Sequence, residues 1–240
     1  MRIVLTSIAF FLLSSTSPAA EPTYLYDAQF VQAAPGKLLA LIDHYKARMT
    51  SYASAGDEPP LWIRHSQGDK WDLMLLFPMG SYAEYYRPER EARRESAERS
   101  FKEKLKELVA WQEDLFVYGP PVSDLRGAFS KGAFFHLEIF HALPGKKAEL
   151  HTEREMENAY QRALARPENF IFVRDTGASW DLFTLGVYRD LKHYAESADI
   201  PAAQQEAAAK KAGFEASSRI GPYLRALIAD HHDTLAVAVK

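Results

Sequence analysis

The sequence predicts an α+β fold made of two tandem copies of one β-α-β-β-α-β unit. The tripeptide Trp-Asp-Leu occurs at Trp71 and again at Trp180, 109 positions later. The same offset, applied without a gap, places the Pro-Gly-Lys of residues 35–37 on that of residues 144–146. Each copy also reads as the same series of strands, turns and helices. A tandem duplication explains all three observations.

The two copies predict matching elements in the same order. A strand ends in a Pro-Gly turn, a helix follows, and a hairpin with Gly68 or Gly177 in its turn comes next. In the first copy the elements are a strand at 23–33, a helix at 37–54, a hairpin at 61–77, a helical region ending near Trp111 and a strand at 114–119. Their counterparts are 133–143, 146–165, 169–188, a region ending near Asp230, and 234–239. The offset grows to 119 near the end, so the second copy carries about ten extra residues, which we place within 198–214.

The chain divides into four segments. Residues 1–20 combine one positive charge, an apolar run and small residues ending in Ala19-Ala20, which is the layout of a secretory signal peptide. Residues 21–122 and 133–240 are the two copies, and residues 123–132 belong to a stretch with the composition of a linker. We therefore expect an exported bacterial protein, periplasmic or secreted, with no stable membrane insertion.

The composition excludes several classes of function. The 240 residues include no cysteine, which excludes disulfides, iron–sulfur clusters, Cys-ligated zinc and a Cys nucleophile. The 29 Lys and Arg nearly balance the 32 Asp and Glu, so no electrostatic footprint for nucleic acid exists. The sequence has no Gly-rich phosphate loop, Gly-x-Ser-x-Gly, His-Glu-x-x-His or dinucleotide fingerprint, so nucleotide-dependent and common hydrolase chemistry is not expected.

The order of the elements is the ferredoxin-like, split βαβ motif. Two such units in tandem, with Pro-Gly turns at 35–36 and 144–145 and aromatic-rich strands, resemble the dimeric α/β-barrel superfamily over nearly all of residues 21–240. That superfamily includes antibiotic-biosynthesis monooxygenases, NIPSNAP-like and stress-responsive barrel proteins, and haem-binding chlorite dismutase-like proteins. The resemblance implies that the two ferredoxin-like repeats pack sheet to sheet as one α/β barrel, with ligands between sheet and helices or inside the barrel.

Alternation along the first strand of each copy separates an apolar face from a polar one. We expect the apolar face to pack on the helices; it comprises Tyr26, Ala28 and Phe30 in the first copy and Phe135, Leu137 and Ile139 in the second. The opposite face carries Asp27 and Gln29, whose counterparts are His136 and Glu138. We expect these four side chains to point into the barrel or to lie at its mouth.

His136 and Glu138 are the candidate catalytic pair, because a histidine titrates near neutral pH and a carboxylate can orient it. Asp27 and Gln29 are candidate substrate-binding residues, and a satisfied polar network without a ligand is the alternative for all four. His-x-Glu on a strand also suits a metal if Asp27 approaches as a third ligand, but we predict neither metal nor cofactor.

The other candidate substrate-binding residues are Arg64, Asp72 and Asp181. Arg64 could reach an anionic group, or simply face solvent beside its turn. Asp72 and Asp181 could face the same interior as His136, or cap turns. The run His231-His232-Asp233 is predicted to be a polar turn.

The resulting functional prediction is an exported protein that handles a small molecule in an aromatic-lined cavity. As an enzyme it would be a cofactor-independent, monooxygenase-like or acid–base catalyst acting on a hydrophobic or aromatic metabolite, a reaction class that the resemblance implies. One alternative is a non-catalytic periplasmic ligand-binding or stress-response protein. The second is a haem-binding, chlorite dismutase-like protein, for which His151, His193 and His231 are the candidate axial ligands. Either a monomer or a homo-oligomer formed through barrel edges fits the sequence.

Overall fold

A computed structural model describes residues 24–239, so the predicted signal peptide lies outside the described residues. The first copy contains β1 (Tyr24–Ala33), α1 (Leu38–Arg48), α2 (Tyr52–Ala55), β2 (Leu61–Gln67), β3 (Leu73–Gly80), α3 (Tyr82–Tyr85), α4 (Pro88–Leu108) and β4 (Val109–Gly119). The helix α5 (Val122–Phe129) connects the two copies. The second contains β5 (Phe134–Ala142), α6 (Lys147–Ala163), β6 (Phe170–Thr176), β7 (Leu182–Tyr188), α7 (Leu191–Ala195), α8 (Ala202–Lys211), α9 (Ile220–Arg225) and β8 (Ile228–Ala238).

The helical region before the last strand differs between the copies. In the first copy it consists of the short helix α3 and the continuous helix α4, whereas in the second α7 matches α3 and the rest is broken into α8, α9 and two short 3₁₀ helices. Pro201 precedes α8, and Gly213 follows it with a φ of +96°, a left-handed conformation that glycine adopts without strain. The extra residues predicted within 198–214 coincide with this interruption.

Three local predictions differ from the structure. The last strands begin at Val109 and Ile228, earlier than expected, because β4 and β8 pair along the full length of β1 and β5 and so satisfy their backbone groups. The predicted linker contains helix α5, whose Leu125 is fully buried in the barrel core. Residues 231–233 lie within β8 and are not a turn.

The eight strands form one closed antiparallel barrel in the order β1-β3-β2-β8-β5-β7-β6-β4. Each copy contributes four neighbouring strands in the order expected of a ferredoxin-like unit. Two seams, β2 with β8 and β4 with β6, join the copies within one chain. The predicted α+β barrel is therefore confirmed, and none of the described barrel strands is left as an open edge.

The barrel interior is filled by apolar side chains from both copies. The Phe30 and Trp180 ring centroids lie 5.7 Å apart, as do those of Tyr26 and Phe172. Tyr26, Phe30 and their counterparts Phe135 and Ile139 thus face the barrel interior, and the prediction that this face packs on the helices is wrong. The charge-rich α4 offers few apolar contacts, so the more apolar strand face is buried inside the barrel.

Helices cover the outer surface of the barrel. Leu41 and Leu73 pack together between α1 and the sheet of the first copy, and Leu150 and Leu182 occupy the same places in the second. None of the helices within residues 24–239 has the length and apolar content needed to cross a membrane.

Candidate functional site

The polar residues of the first strands face the helix layer and not the barrel interior. Asp27 and Gln29 point at α1 and α4, while His136 and Glu138 point at α6. This corrects the expected direction of all four side chains. Their orientation defines two equivalent sites between the sheet and the helices. We call them the repeat 1 cavity, around Asp27, and the repeat 2 cluster, around His136.

The repeat 1 cavity has a volume of about 490 Å³. Its floor is the outer face of β1 and β4, and its walls come from α1, α2, α3, α4 and β3. The lining residues are Asp27, Gln29, Tyr45, Arg48, Tyr52, Phe77, Tyr85, Glu98, Phe101, Lys102, Leu105, Lys106, Val109 and Gln112. A cavity of this size fits a small organic ligand. Its wall combines apolar and aromatic side chains with polar groups, as in known ligand sites.

Several buried polar atoms in this cavity have no partner among the described residues. They are Asp27 Oδ1, the Tyr45 hydroxyl, and Nε and Nη1 of Arg48. Tyr45 is 1% exposed and Arg48 7% exposed, so water does not freely solvate them. Buried polar groups are nearly always paired in folded proteins. All three residues line the cavity, so its wall contains donors and an acceptor that no described residue pairs.

Asp27 has the environment of an acid–base group. Burial is the largest effect and, with the nearby carboxylate of Asp114, raises the pKa of Asp27 to about 7. A hydrogen bond of 2.9 Å from Gln29 Nε2 to Asp27 Oδ2 opposes that rise in part. A carboxyl group with a pKa near neutrality can both accept and return a proton at physiological pH.

Cationic groups lie on the helix side of the same cavity. Arg48 Nη2 donates to Glu98 Oε1 at 2.8 Å, and Lys102 pairs with the other oxygen of Glu98 at 2.7 Å. The guanidinium carbon of Arg48 sits 4.5 Å from the centre of the Phe101 ring, which fixes its orientation. An anionic or enolic oxygen of a ligand would complete the hydrogen bonding of Arg48.

The repeat 2 cluster is occupied by an arginine. Arg154, which takes the place of Tyr45 by the offset of 109, is 2% exposed. Its Nε lies 2.6 Å from Glu153, its Nη2 2.5 Å from Glu157, and its Nη1 3.6 Å from Glu138. Ion pairs thus fill the space that is open in the first copy.

His136 lies beside these carboxylates. Its Nε2 is 3.1 Å from Asp233 Oδ1 on the neighbouring strand β8. Burial disfavours the charged imidazole, but the hydrogen bond to Asp233 and the charge of Glu138 outweigh it and raise the pKa of His136. The ligand-type atoms of His136, Glu138 and Asp233 all lie within 4.8 Å of one another.

The remaining predicted binding residues lie away from both places. Asp72 Oδ2 accepts a hydrogen bond from the backbone N–H of Ala33 at 2.8 Å, and Asp181 Oδ2 accepts one from Ala142 at 3.0 Å. Both aspartates thus cap backbone N–H groups at the ends of β1 and β5, which is the alternative to a substrate-binding role. Arg64 is exposed on β2 and does not line the repeat 1 cavity.

Sequence reasoning missed Tyr45, Arg48, Arg154 and Asp233. The signal was the repeat itself, because the offsets of 109 and 119 place Tyr45 on Arg154 and Asp114 on Asp233. Extending the alignment from the strands to the helices would have shown a polar position on each helix opposite each polar strand.

Comparisons with solved structures show a likeness of fold. A monooxygenase-like protein of Fusobacterium nucleatum superposes with a TM-score of 0.57 at 9% identity, over 91% of this chain and 93% of that one. An anthrone oxidase-like protein gives 0.53 at 14% identity, over 92% and 93%. A mutant chlorite dismutase of Candidatus Nitrospira defluvii gives 0.52 at 8% identity, over 92% and 93%.

The chain therefore has the dimeric α/β-barrel fold, with both halves of the barrel in one polypeptide. No family model matches the sequence, and no curated protein matches it either. At identities of 8–14% the likeness defines the fold, and the chemistry has to be argued from the residues.

The haem alternative requires an axial ligand, for which histidine is the candidate in this sequence. No described residue lining the repeat 1 cavity, or a second depression of about 430 Å³ beside Met156 and Phe214, is a histidine. His151 lies 3.9 Å from Glu155, the ring of His193 accepts from the backbone N–H of Arg189, and His231 contacts Asp233. These two cavities thus lack the ligand that the haem alternative requires.

Proposed function

We propose that the protein binds a small aromatic or hydrophobic molecule carrying an acidic or enolic oxygen in the repeat 1 cavity. Asp27 would be its acid–base group, and Arg48 and Tyr45 would bind the ligand oxygen. The observation that carries this proposal is the set of buried, unpartnered polar atoms on these three residues around one cavity of about 490 Å³. The aromatic walls from Tyr52, Phe77, Tyr85 and Phe101 favour a planar apolar body.

The proposed acid–base role moves from His136 and Glu138 to Asp27. His136 and Glu138 do not line the repeat 1 cavity, and Arg154 lies against Glu138 at the equivalent place in the second copy. In the cavity, Asp27 would take a proton from a hydroxyl or from a carbon beside a carbonyl. Arg48 and Tyr45 would stabilise the resulting oxyanion. The monooxygenase-like reaction that the resemblance implies would begin with this same proton abstraction.

Ligand titration with matched variants tests this proposal. The purified protein is titrated with hydroxylated aromatic acids and phenols by calorimetry, and any product is measured by mass spectrometry. Arg48→Met should weaken binding at least tenfold, since a charged hydrogen bond is worth about 1.5–3 kcal/mol. Asp27→Asn should retain binding and abolish turnover. Asp43→Asn, an exposed change on the same helix, is the control and should alter neither.

The outcomes separate the candidate functions. Binding that depends on Arg48 without any turnover by the unmodified protein would favour the non-catalytic binding protein. Absence of binding across the series, or binding that is unaffected by Arg48→Met, would reject the repeat 1 cavity as the site.

We also propose that the protein is exported, with cleavage after Ala19 or Ala20. The support is the signal-peptide layout of residues 1–20. The intact mass of protein recovered from a periplasmic extract should lack these residues. The uncut mass, found only in the cytoplasmic fraction, would contradict export. Native mass spectrometry of the same sample would report whether the barrel is a monomer or a homo-oligomer.

A further inference from the structure

We propose that His136, Glu138 and Asp233 bind a divalent transition-metal ion in the repeat 2 cluster, at a site separate from the repeat 1 cavity. His136 and Glu138 are two residues apart on β5 and so point to the same side of the sheet. Asp233 faces Glu138 directly across the β5–β8 pair. The topology of the second copy thus brings one imidazole nitrogen and two carboxylates to one point on the helix-facing surface.

The spacing of the three groups is close to that of a metal site. Their ligand atoms lie within 4.8 Å of one another, and His136 Nε2 is 3.1 Å from Asp233 Oδ1. Zinc binds imidazole nitrogen and carboxylate oxygen at about 2.0–2.2 Å, so its ligand atoms stand roughly 3–3.5 Å apart. Side-chain shifts of about 1 Å would therefore close the site around an ion.

The charges of the repeat 2 cluster favour a cation. Four carboxylates meet there, from Glu138, Glu153, Glu157 and Asp233, and the cationic or titratable groups beside them are the guanidinium of Arg154 and the imidazoles of His136 and His231. With both imidazoles neutral, the cluster has three more negative than positive charges. An excess of partly buried charge is costly, and a divalent ion would remove most of it.

Arg154 does not take the place of the proposed ion. Its Nε and Nη2 are held by Glu153 and Glu157 at 2.6 and 2.5 Å. The remaining nitrogen, Nη1, is 3.6 Å from Glu138, which is beyond hydrogen-bonding distance. Glu138 therefore remains available as a ligand, while Arg154 neutralises the carboxylates behind it.

Neighbouring groups already orient two of the ligands. The hydroxyl of Thr184 donates to Glu138 Oε2 at 3.2 Å, and His231 Nε2 lies 3.1 Å from Asp233 Oδ2. Such outer contacts fix ligand orientation in metal sites. The Asp233 side chain is 53% exposed, which gives an ion access from solvent. One nitrogen and two oxygens suit zinc or a similar transition ion better than magnesium or calcium, which prefer all-oxygen sets.

Zinc titration of the purified protein by calorimetry tests the site. We expect one equivalent of Zn²⁺ to bind to the unmodified protein. His136→Ala and Asp233→Asn should each weaken binding by more than about 10-fold, the least that loss of an outer contact to a metal ligand typically costs. The matched control is the double variant Asp27→Asn/Asp114→Asn, which changes the equivalent strand positions of the first copy and should leave zinc binding unchanged. His151→Ala is a second control for histidine on the adjacent helix α6.

A spectroscopic measurement on the unmodified protein tests the site without relying on a variant that could fail to fold. Co²⁺ added to the unmodified protein should give visible d–d absorption that one equivalent of Zn²⁺ abolishes. No binding by the unmodified protein, or a Zn²⁺ affinity unchanged by His136→Ala in a variant with a native circular dichroism spectrum, would overturn the proposal. Loss of zinc binding in the repeat 1 double variant, with the His136 variant unaffected, would also overturn it and would place the ion in the other copy.

Discussion

Asp27 shows how one buried side chain can couple folding to pH. Its pKa is about 7 in the folded protein and 3.8 in its ordinary state, so the folded state holds this proton more tightly than the unfolded chain. The free energy of unfolding therefore falls as pH rises from about 4 to about 7, and this loss is absent below pH 4. By linkage, the full loss is up to about 4 kcal/mol.

Asp27→Asn removes this titration. We expect the stability of the variant relative to the unmodified protein to rise steadily between pH 4 and pH 7 and then to level off. Urea denaturation at several pH values in that window measures the difference directly. Asp43→Asn, on the exposed side of α1, should show no such trend. A stability difference that stays constant across the window would show that the Asp27 carboxyl is not shifted.

Arg154, the counterpart of Tyr45, is a buried charged residue of the second copy, and there stability depends on charge balance. Arg154→Met would leave Glu153, which is fully buried, without its cation. Removing one partner of a buried ion pair typically costs about 3–5 kcal/mol. The control is Arg162→Met on the same helix, where the arginine side chain is 65% exposed, so we expect a loss of about 0–1 kcal/mol. Chemical denaturation of both variants gives the comparison, and equal losses would contradict it.

Single residues also mark the limit of what the sequence predicts about the site. Alternation correctly grouped Asp27 with Gln29 and His136 with Glu138, because the two-residue period depends only on strand geometry. Alternation does not show which strand face lies in the barrel interior, because that depends on the side chains with which the helices cover the other face. Tyr45 and Arg48 form the opposite wall only after α1 packs on the sheet, a contact that no local pattern encodes.

At the level of elements, each hairpin turn presses a glycine against the last strand of the other copy. Gly177 has a φ of +115°, and a Cβ there would lie 2.6 Å from Leu115 Cα on β4. Gly68 has a φ of +125°, and a Cβ there would lie 2.3 Å from the backbone oxygen of Asp233 on β8. The turn residues predicted from the hairpin pattern therefore also permit the two seams of the barrel.

Gly177→Ala should destabilise the protein by more than about 1 kcal/mol, because the substitution combines an unfavourable φ with a backbone clash. The matched control is Gly127→Ala in α5, where an added Cβ would meet nothing within 4 Å. That change should stabilise the protein by about 0.4–1 kcal/mol, since alanine is the better helix former. Thermal unfolding of both variants should move the melting temperature in opposite directions; a shift of the same sign in both would refute the close-approach argument.

Element types were easier to predict than element limits. The strand and helix order followed from the duplication, because one register had to satisfy both copies. The start of β4 at Val109 did not, since residues 109–113 follow the helix α4 directly and only their pairing with β1 makes them strand. The helix α5 was missed because Pro, Ser and Gly dominate its surroundings, although Leu125 anchors it in the core.

For the whole molecule, duplication has produced two copies with one architecture and two different interiors between sheet and helix. In the first copy, Tyr45 and Arg48 leave a cavity with unused hydrogen-bonding atoms; in the second, Arg154 and Glu157 occupy the same positions as an ion pair. Substitutions between the sheet and the helices of one copy can therefore change what that copy binds without altering the barrel. The two copies share only the apolar interior and the two seams.

That shared interior predicts how the chain behaves when divided. Each copy alone would expose the apolar surface that includes Tyr26, Phe30 and Trp71 or their counterparts, and two unpaired strand edges. A break after Lys131 keeps α5 with the first copy and lies at an exposed position.

We expect fragments 21–131 and 132–240, when produced together, to form a 1:1 complex that unfolds cooperatively. Each fragment alone should aggregate or self-associate. Size-exclusion chromatography with light scattering distinguishes these states. A fragment that is monomeric and unfolds cooperatively by itself would show that one copy is sufficient for folding, and that the barrel is an assembly of two independent domains.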